Sequence, residues 1–540
     1  MKKSKLTQRR FQFRYLILLF FSATACCAQR SKPNIQNSYH AVIIKIQNEI
    51  ELHHLSRAKS SLANALGKYP NDGGIENLLG IVEAEQGDIQ LAQHEFTLAI
   101  QNDPQLTSAY LNLGRLIMQS APSDASERQE AIDLYRVALK QSPNNEEAEY
   151  NLAFLLMWQR QYKNSIKALQ ALPAKSRHNI QIEAVDCADL AALGERSNEQ
   201  SCIQNLEANP ALSDQTIMLL LPILREQHQA KTLASLLTAE RQYHPLSLTS
   251  LRLLGLAQEA EGKLIQAQHT LQHVYQREPT WVIPLIDLTR ISLEQKHNIS
   301  ALGYLAHARS LKPNDANLAY EYGTICLKLG LLNETIKAIQ DAVKLAPNNP
   351  QYNLSMGIIA SYGANPSTAI PYLMKYHSLR PKDPKGLLAL GSGLFRDERY
   401  KDALKWLTMA KSFSATRPRA LYYTARILNA EGKYRLAVKE LVEASQLKAD
   451  QADVYAELGK SFIHLKDFKD ATNSIHQSLA IDPNNYAGNL ALLQLYSHTH
   501  DERIKSQLAR FLAVKKAKQN SYLESLRTLS AEPVLELQTN

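Results

Sequence analysis

The segment Leu345–Pro350 reads LAPNNP, with two prolines around a pair of asparagines. Proline lacks the N–H that a continuing helix needs, and asparagine caps the first turn of a new helix well. The segment therefore predicts the end of one helix and the start of the next. Its variants elsewhere in the chain decide whether it is a single loop or one of a series.

The same turn recurs at a fixed interval along the chain. Pro347 lies 34 residues after Pro313 and 34 residues before Pro381. Pro483 lies three such intervals after Pro381, and Pro143 lies five before Pro313. A period that holds over hundreds of residues indicates an array of structural repeats.

A second set of small and apolar residues keeps the same phase. Small residues at matching depths let two antiparallel helices approach closely, while larger apolar side chains fill the space beside them. Each period is therefore predicted to fold as a helical hairpin. The recurring positions are Gly80, Ala92, Phe96 and Ala99; Gly114, Ala131, Tyr135 and Ala138; Gly323, Thr335, Ile339 and Ala342; Gly357, Ala369 and Leu373; Gly391, Ala403, Leu407 and Ala410; and Gly459, Ala471 and Ile475.

This pattern resembles the tetratricopeptide repeat, which has an early apolar-Gly pair, a later Ala-x3-large-x2-Ala run and a proline near its end. The resemblance implies an all-α fold, an α-solenoid of about 13 helical hairpins that forms a right-handed superhelix. In this register the repeats are predicted to begin near Tyr39, Gly73, Thr107, Glu146, Asn179, Gln215, Leu248, Val282, Ala316, Pro350, Pro384, Pro418 and Ala452.

The repeat register also predicts how the chain is divided. Residues 179–247 keep prolines in phase but lose most of the small residues, which fits either a flexible junction or ordinary divergent hairpins. Residues 119–125 lengthen the third repeat and predict a longer turn between its helices. We predict a signal peptide over 1–25, a linker over 26–38, repeat blocks over 39–178 and 248–485 around the divergent hairpins, and capping helices with a tail over 486–540.

The first residues have the composition of a secretory signal. Six basic residues precede the apolar run Tyr15–Phe21, and small residues follow up to Ala25. The stretch ATAC, ending at Cys26, resembles the bacterial lipoprotein cleavage box and implies an outer-membrane lipoprotein, diacylated on Cys26 and facing the periplasm. The box prefers Leu where this chain has Ala23. Ordinary cleavage after Ala25, giving a soluble periplasmic or secreted protein, and an uncleaved anchor therefore stay open.

The net charge does not indicate a nucleic-acid-binding protein. The chain carries +9, but the six basic residues of the signal region account for most of it and leave about +3. We expect no nucleic-acid partner.

Two cysteines lie in the divergent stretch. Export would place them in an oxidising compartment, where Cys187 and Cys202 are close enough in sequence to link neighbouring helices by a disulfide. Two small buried residues are the alternative.

No catalytic motif stands out in the sequence. It contains no Gly-rich phosphate loop, HExxH, GxSxG or paired CxxC. We therefore expect no enzymatic activity, no cofactor and no metal site. The least favoured alternative is an active site around Glu183, Asp186 and Asp189 in the divergent stretch.

Binding is the function that remains. By resemblance to the family, positions 2, 5, 9 and 12 of the first helix in each repeat line a concave groove, and their spacing places them on one helical stripe. Guanidinium and phenol groups there suit a carboxylate or an extended peptide, although the same residues also fit an ordinary solvated helix face. The candidate partner-binding residues are Arg252, Arg290, Arg419, Tyr422, Arg426 and Lys460.

These observations predict a protein-interaction scaffold at the bacterial cell envelope, with a protein or peptide partner of acidic character as one option. Analogy with the family suggests a role in assembling secretion, pilus or exopolysaccharide machinery. The alternative is a periplasmic solenoid that binds a polysaccharide during export.

Overall fold

A computed structural model of the protein describes residues 33–120, 124–363, 365–447 and 451–530, with side chains between 39 and 517. The predicted signal peptide and Cys26 lie outside the described residues. The chain divides into two compact units, Met1–Thr270 and Leu271–Asn540.

The described part of the first unit is a run of helices joined by short turns. Its helices are α1 Pro33–Glu51, α2 Leu55–Lys68, α3 Gly73–Gln86, α4 Ile89–Asn102, α5 Thr107–Ser120, α6 Ala125–Gln141, α7 Glu146–Trp158, α8 Tyr162–Ala171, α9 Ile180–Leu193, α10 Arg196–Ala208, α11 Asp214–Glu226, α12 Ala230–Tyr243 and α13 Leu248–Ala260. Helix α14, Leu264–Arg277, runs across the boundary in sequence.

The second unit continues the same alternation of helix and turn. Its helices are α15 Val282–Glu294, α16 Asn298–Leu311, α17 Ala316–Leu329, α18 Leu332–Leu345, α19 Pro350–Ser361, α20 Ile370–Leu379, α21 Pro384–Arg396, α22 Tyr400–Lys411, α23 Arg417–Ala430, α24 Tyr434–Gln446, α25 Gln451–His464, α26 Phe468–Ile481, α27 Tyr486–Thr499 and α28 Ile504–Ser530. The predicted all-α solenoid of about 13 hairpins is confirmed.

The opening turn shows why the hairpins begin and end where they do. Helix α18 ends at Leu345, and Asn349 then accepts a hydrogen bond on its side-chain oxygen from the backbone N–H of Tyr352, at 3.3 Å. Pro350 occupies the first turn of α19, where its missing N–H would have had no helical partner. The same cap recurs with other residues, namely Asp72, Asn145, Asp315, Asp383 and Asn485.

Within a hairpin, the recurring glycine meets the large apolar residue of the second helix. A Cβ atom on Gly391 would lie 2.6 Å from the side chain of Leu407, and one on Gly459 would lie 2.4 Å from that of Ile475. No real Cβ atom tolerates such distances, so the glycine is needed for the helices to approach. The other pairs are Gly80 with Phe96, Gly114 with Tyr135, Gly323 with Ile339, and Gly357 with Leu373.

The divergent stretch is helical in the structure. Helices α9 to α12 form two hairpins there, and α9 also packs against α11 of the next hairpin. The Sγ atoms of Cys187 in α9 and Cys202 in α10 are joined at 1.98 Å, so a disulfide links the two helices of one hairpin. Cys326 is free and buried.

Two other stretches bear on the predicted register. Helix α1 begins at Pro33, ahead of Tyr39, because proline is well accommodated in a first helical turn and no further helix breaker precedes Tyr39. The insertion in the third repeat falls partly on residues 121–123, outside the described ones. Helix α5 ends before it at Ser120, and Asp124 caps α6 after it.

A helix that crosses a bilayer must be long and predominantly apolar. Among the described residues, no helix combines the length and the apolar character that crossing a bilayer requires.

Candidate partner-binding groove

A groove of ≈1650 Å³ runs along the second unit. Its walls come mainly from the first helices of successive repeats, α19, α21, α23 and α25, with the start of α27 beyond them. Repeat positions 2, 5 and 9 recur among the lining residues, which are Gln351, Leu354 and Ile358; Lys385, Leu388 and Ser392; Arg419, Tyr422 and Arg426; and Asp453 and Lys460.

The structure brings four of the six predicted binding residues together in this groove. Arg419, Tyr422 and Arg426 come from α23, and Lys460 comes from α25. Arg290 also belongs to the second unit but is not among the described lining residues, and its guanidinium lies 3.3 Å from the buried carboxylate of Asp287. Arg252 belongs to the first unit.

Arg426 is held in place by three neighbours. Its guanidinium lies 4.8 Å from the ring centroid of Phe395 and 5.6 Å from that of Tyr422, within the range of cation–π attraction. Its Nε lies 3.8 Å from Oε1 of Glu457, and the same oxygen accepts a hydrogen bond from Lys460 Nζ at 2.7 Å. Two repeats therefore share one buried carboxylate between two cations.

A second guanidinium is stacked on an aromatic ring deeper along the groove. The central carbon of the Arg396 guanidinium lies 3.7 Å from the ring centroid of Tyr362. Arg396 closes α21 and Tyr362 follows α19, so this contact also joins neighbouring repeats. Stacking leaves the edge of a guanidinium able to donate hydrogen bonds.

The groove carries a surplus of positive charge. Seven basic side chains line it and three acidic ones. The acidic groups already have partners within the protein: Glu457 with Lys460, Asp453 with the side-chain amide of Asn485 at 2.7 Å, and Asp383 with the Tyr376 hydroxyl. The basic residues are Arg380, Lys382, Lys385, Arg396, Arg419, Arg426 and Lys460.

Two buried tyrosines of the groove, Tyr362 and Tyr422, stay protonated at physiological pH. Burial raises the pKa of Tyr362 to about 12 and raises the pKa of Tyr422 well above its ordinary value. Both phenols can therefore donate or accept a hydrogen bond. Fixed guanidiniums next to neutral phenols suit carboxylates and backbone carbonyls of a bound chain.

Sequence reasoning overlooked several lining residues. Lys385 and Asp453 occupy repeat position 2, which belongs to the predicted stripe, so the same pattern could have identified them as lining residues. Tyr362 and Arg396 lie at repeat position 13, one residue after the last position of the predicted stripe. They reach the groove from the ends of their first helices. The sequence did not indicate Glu457, at position 6, because its contribution depends on its contacts with Arg426 and Lys460.

The carboxylates of the divergent stretch lie in the first unit. Asp189 is fully buried in α9, whereas Glu183 and Asp186 are half-buried. Among the described residues, no group of three or more His, Cys, Asp or Glu is arranged to hold a metal ion.

Comparison with known families identifies a tetratricopeptide repeat over residues 124–185. The match covers the end of the third predicted hairpin, the fourth, and the start of the fifth. The match supports the predicted tetratricopeptide repeats in this part of the chain.

Comparisons with individual proteins give distant likenesses. The chain is 30% identical over 104 residues to the cell division cycle protein 27 homolog A of Arabidopsis thaliana, which is 19% of this chain and 14% of that relative's length.

Solved structures show similarly distant likenesses. The APC/C hetero-tetramer Cut9–Hcn1 matches at 16% identity and a TM-score of 0.34, over 86% of this chain and 91% of the other. A tetratricopeptide repeat protein from Parabacteroides merdae ATCC 43184 matches at 15% identity and a TM-score of 0.38, over 46% and 98%.

Proposed function

We propose that this tetratricopeptide repeat protein is a non-enzymatic scaffold that binds an acidic segment of a protein partner in the groove of its second unit. The observation that carries the proposal is the surplus of positive charge in the groove. It is presented by guanidiniums that are already held over aromatic rings. Preorganised donors bind a carboxylate with little loss of side-chain freedom.

A polysaccharide partner is the alternative. It is supported by five tyrosines that line the groove, Tyr362, Tyr376, Tyr422, Tyr423 and Tyr486. Sugar rings stack on open aromatic faces. Arg396 covers one face of Tyr362, and Arg426 lies over Tyr422, so the faces that a sugar would use are partly taken. This arrangement favours a charged protein segment.

The first test reverses the charge of the groove. In the double variant R396E/R419E, we expect partner affinity to fall by at least about 100-fold, since two hydrogen bonds to charged groups are lost and each contributes roughly 1.5–3 kcal/mol. Arg426 is left in place because its loss would disturb the shared Glu457. Isothermal titration with a partner captured from envelope extracts measures the change.

The matched control makes the same charge change outside the groove. Arg435 and Lys439 are exposed on α24, the second helix of the same hairpin as Arg419. R435E/K439E should retain the partner. Equal loss in both variants would show that overall charge, rather than the groove, controls binding, and capture of carbohydrate without protein would replace the scaffold with the polymer-binding function.

We propose further that the scaffold works at the bacterial cell envelope, anchored through Cys26. The signal-like start of the chain supports export, and the Cys187–Cys202 disulfide supports an oxidising compartment, where such bonds persist. Assembly of secretion, pilus or exopolysaccharide machinery is the role we favour there.

The anchor is tested by mass spectrometry of the mature N-terminus purified from membranes. We expect a diacylglycerol-modified Cys26 as the first residue. An unmodified Cys26 at the N-terminus would show ordinary cleavage and a soluble protein, and a chain that starts at Met1 would show an uncleaved anchor.

A further inference from the structure

The C-terminal helix α28 is firmly seated at its beginning. Phe511 and Val514 are buried, and the Phe511 ring lies 5.2 Å from that of Tyr486 at the start of α27. Gln507 donates to the backbone carbonyl of Asn489 at 2.9 Å, and Arg510 donates to the side-chain oxygen of Asn484 at 2.7 Å. These contacts fix the direction in which the helix leaves the last repeat.

The same helix also packs against helices from earlier repeats of the second unit. Its 27 residues span about 40 Å at 1.5 Å per residue. Besides packing on α27, α28 lies against α17 and α19, the first helices of repeats much earlier in the chain. Helix α19 is itself a wall of the groove. Helix α28 therefore packs against an element that also forms a wall of the groove.

The sequence that follows matches the groove in chemistry. Residues 531–540, outside the described part, read AEPVLELQTN and contain Glu532 and Glu536 among apolar residues, with no Lys or Arg. The groove has seven basic and three acidic side chains together with aromatic rings. A fully extended segment of ten residues reaches up to about 33 Å.

We propose that residues 531–540 are the resident occupant of this groove and that a protein partner must displace them. The proposal rests on the groove being the partner-binding site. An intramolecular segment is present at a high effective concentration, so even a weak interaction keeps the groove filled. The apparent affinity for a partner then falls in proportion to the fraction of molecules with an open groove.

The test places a photoreactive residue in the tail of the full-length protein. In the variant Leu535→benzoylphenylalanine, irradiation at low micromolar concentration should link residue 535 within its own chain to α19, α21 or α23. Peptide mass spectrometry locates the link, and gel mobility separates links within one chain from links between chains. Links only to other surfaces, or only between two chains, would overturn the proposal.

Charge exchange sharpens this experiment. We expect E532K/E536K to lower the yield of the cross-link at least fivefold, and R396E/R419E to do the same. Combining the two double variants restores opposite charges and should recover the link. R435E/K439E, with charges reversed outside the groove, should leave the yield unchanged, and failure of the combined variant to recover it would count against direct pairing.

Partner capture separates the two proposals. If E532K/E536K binds captured partners about tenfold more tightly than the natural chain, the tail is an inhibitor of the groove. If the tail cross-links to the groove but neither the natural chain nor E532K/E536K captures a protein partner, the scaffold function is overturned and the tail contact is retained. If partner capture depends on Arg396 and Arg419 but no tail cross-link forms, the scaffold function stands and the proposal about residues 531–540 is overturned.

Discussion

Replacing Gly391 by valine is expected to cost the second unit about 3 kcal/mol of unfolding free energy or more. The first side-chain atom alone would lie 2.6 Å from Cγ and Cδ2 of Leu407 and 3.3 Å from the Leu407 backbone nitrogen. Leucine can move its side chain, but its backbone nitrogen is held in α22, so α21 and α22 must separate. Overpacking a close-packed helix contact typically costs 1–3 kcal/mol, and here two branches of valine add to it. Urea denaturation monitored by circular dichroism measures the loss.

Gly303 is the matched control. It is also helical and exposed, and a Cβ atom there would have nothing within 4 Å. Gly303→Ala should therefore stabilise the unit by up to about 1 kcal/mol, because alanine loses less backbone entropy than glycine on folding. In a double-mutant cycle, G391A/L407A should cost less than the sum of the single changes. Additive losses would show that Gly391 and Leu407 do not make the proposed contact.

The first unit should become less stable as the pH rises from about 4 to 8. Asp189 is fully buried, and this burial raises its pKa from 3.8 to about 8; Asp186 adds to the increase and the Ser165 hydroxyl opposes it. Below pH 3.8 both the folded and the unfolded chain carry the proton. Between the two pKa values only the folded chain keeps it, so unfolding is favoured progressively until the folded form also ionises near pH 8. Glu240, with its pKa also raised to about 8 by burial, acts in the same direction.

Asp189→Asn should remove much of this pH dependence. Each pKa unit corresponds to about 1.4 kcal/mol, so the variant should gain roughly 2–5 kcal/mol over the natural protein at pH 8 and no more than about 2 kcal/mol at pH 5. Asp186→Asn, a half-buried neighbour on the same helix, should have a smaller effect. Denaturant midpoints of the first unit at pH 5 and 8 give the comparison. If the stability of Asp189→Asn depends on pH as strongly as that of the natural protein, other titratable groups cause the pH dependence. Full biological activity of a variant with Glu183, Asp186 and Asp189 all replaced would remove the basis for an active site there.

The fold could be predicted because its decisive contacts lie close together in sequence. Gly391 meets Leu407 and Gly459 meets Ile475 within single hairpins, so the same spacing recurs wherever the same contact is made. The turn at Leu345–Pro350 behaves in the same way, since Asn349 caps the helix that Pro350 begins. When the same local contact is made in many hairpins, the residues that make it recur at a regular spacing in the sequence.

The groove could be predicted only in part. The stripe of positions 2, 5 and 9 is local to one helix, which explains why Arg419, Tyr422 and Arg426 were found from sequence. The partners that fix these side chains come from neighbouring repeats. Phe395 contacts Arg426 from the preceding repeat, and Glu457 contacts it from the following one. Nothing in the residues around Arg426 specifies those neighbours.

The sequence by itself thus determined the helical hairpin, its period and the face of the first helices that lines the groove of the second unit. These follow from proline, glycine and apolar residues acting within about one repeat. The tertiary structure decided which charges of the second unit share a surface: Arg290 is not among the described residues that line the groove, whereas Arg396 and Tyr362 are. It also decided that α28 returns to α17 and α19. These features depend on the stacking of many repeats, and contacts between distant parts of a chain leave no regular spacing in its sequence.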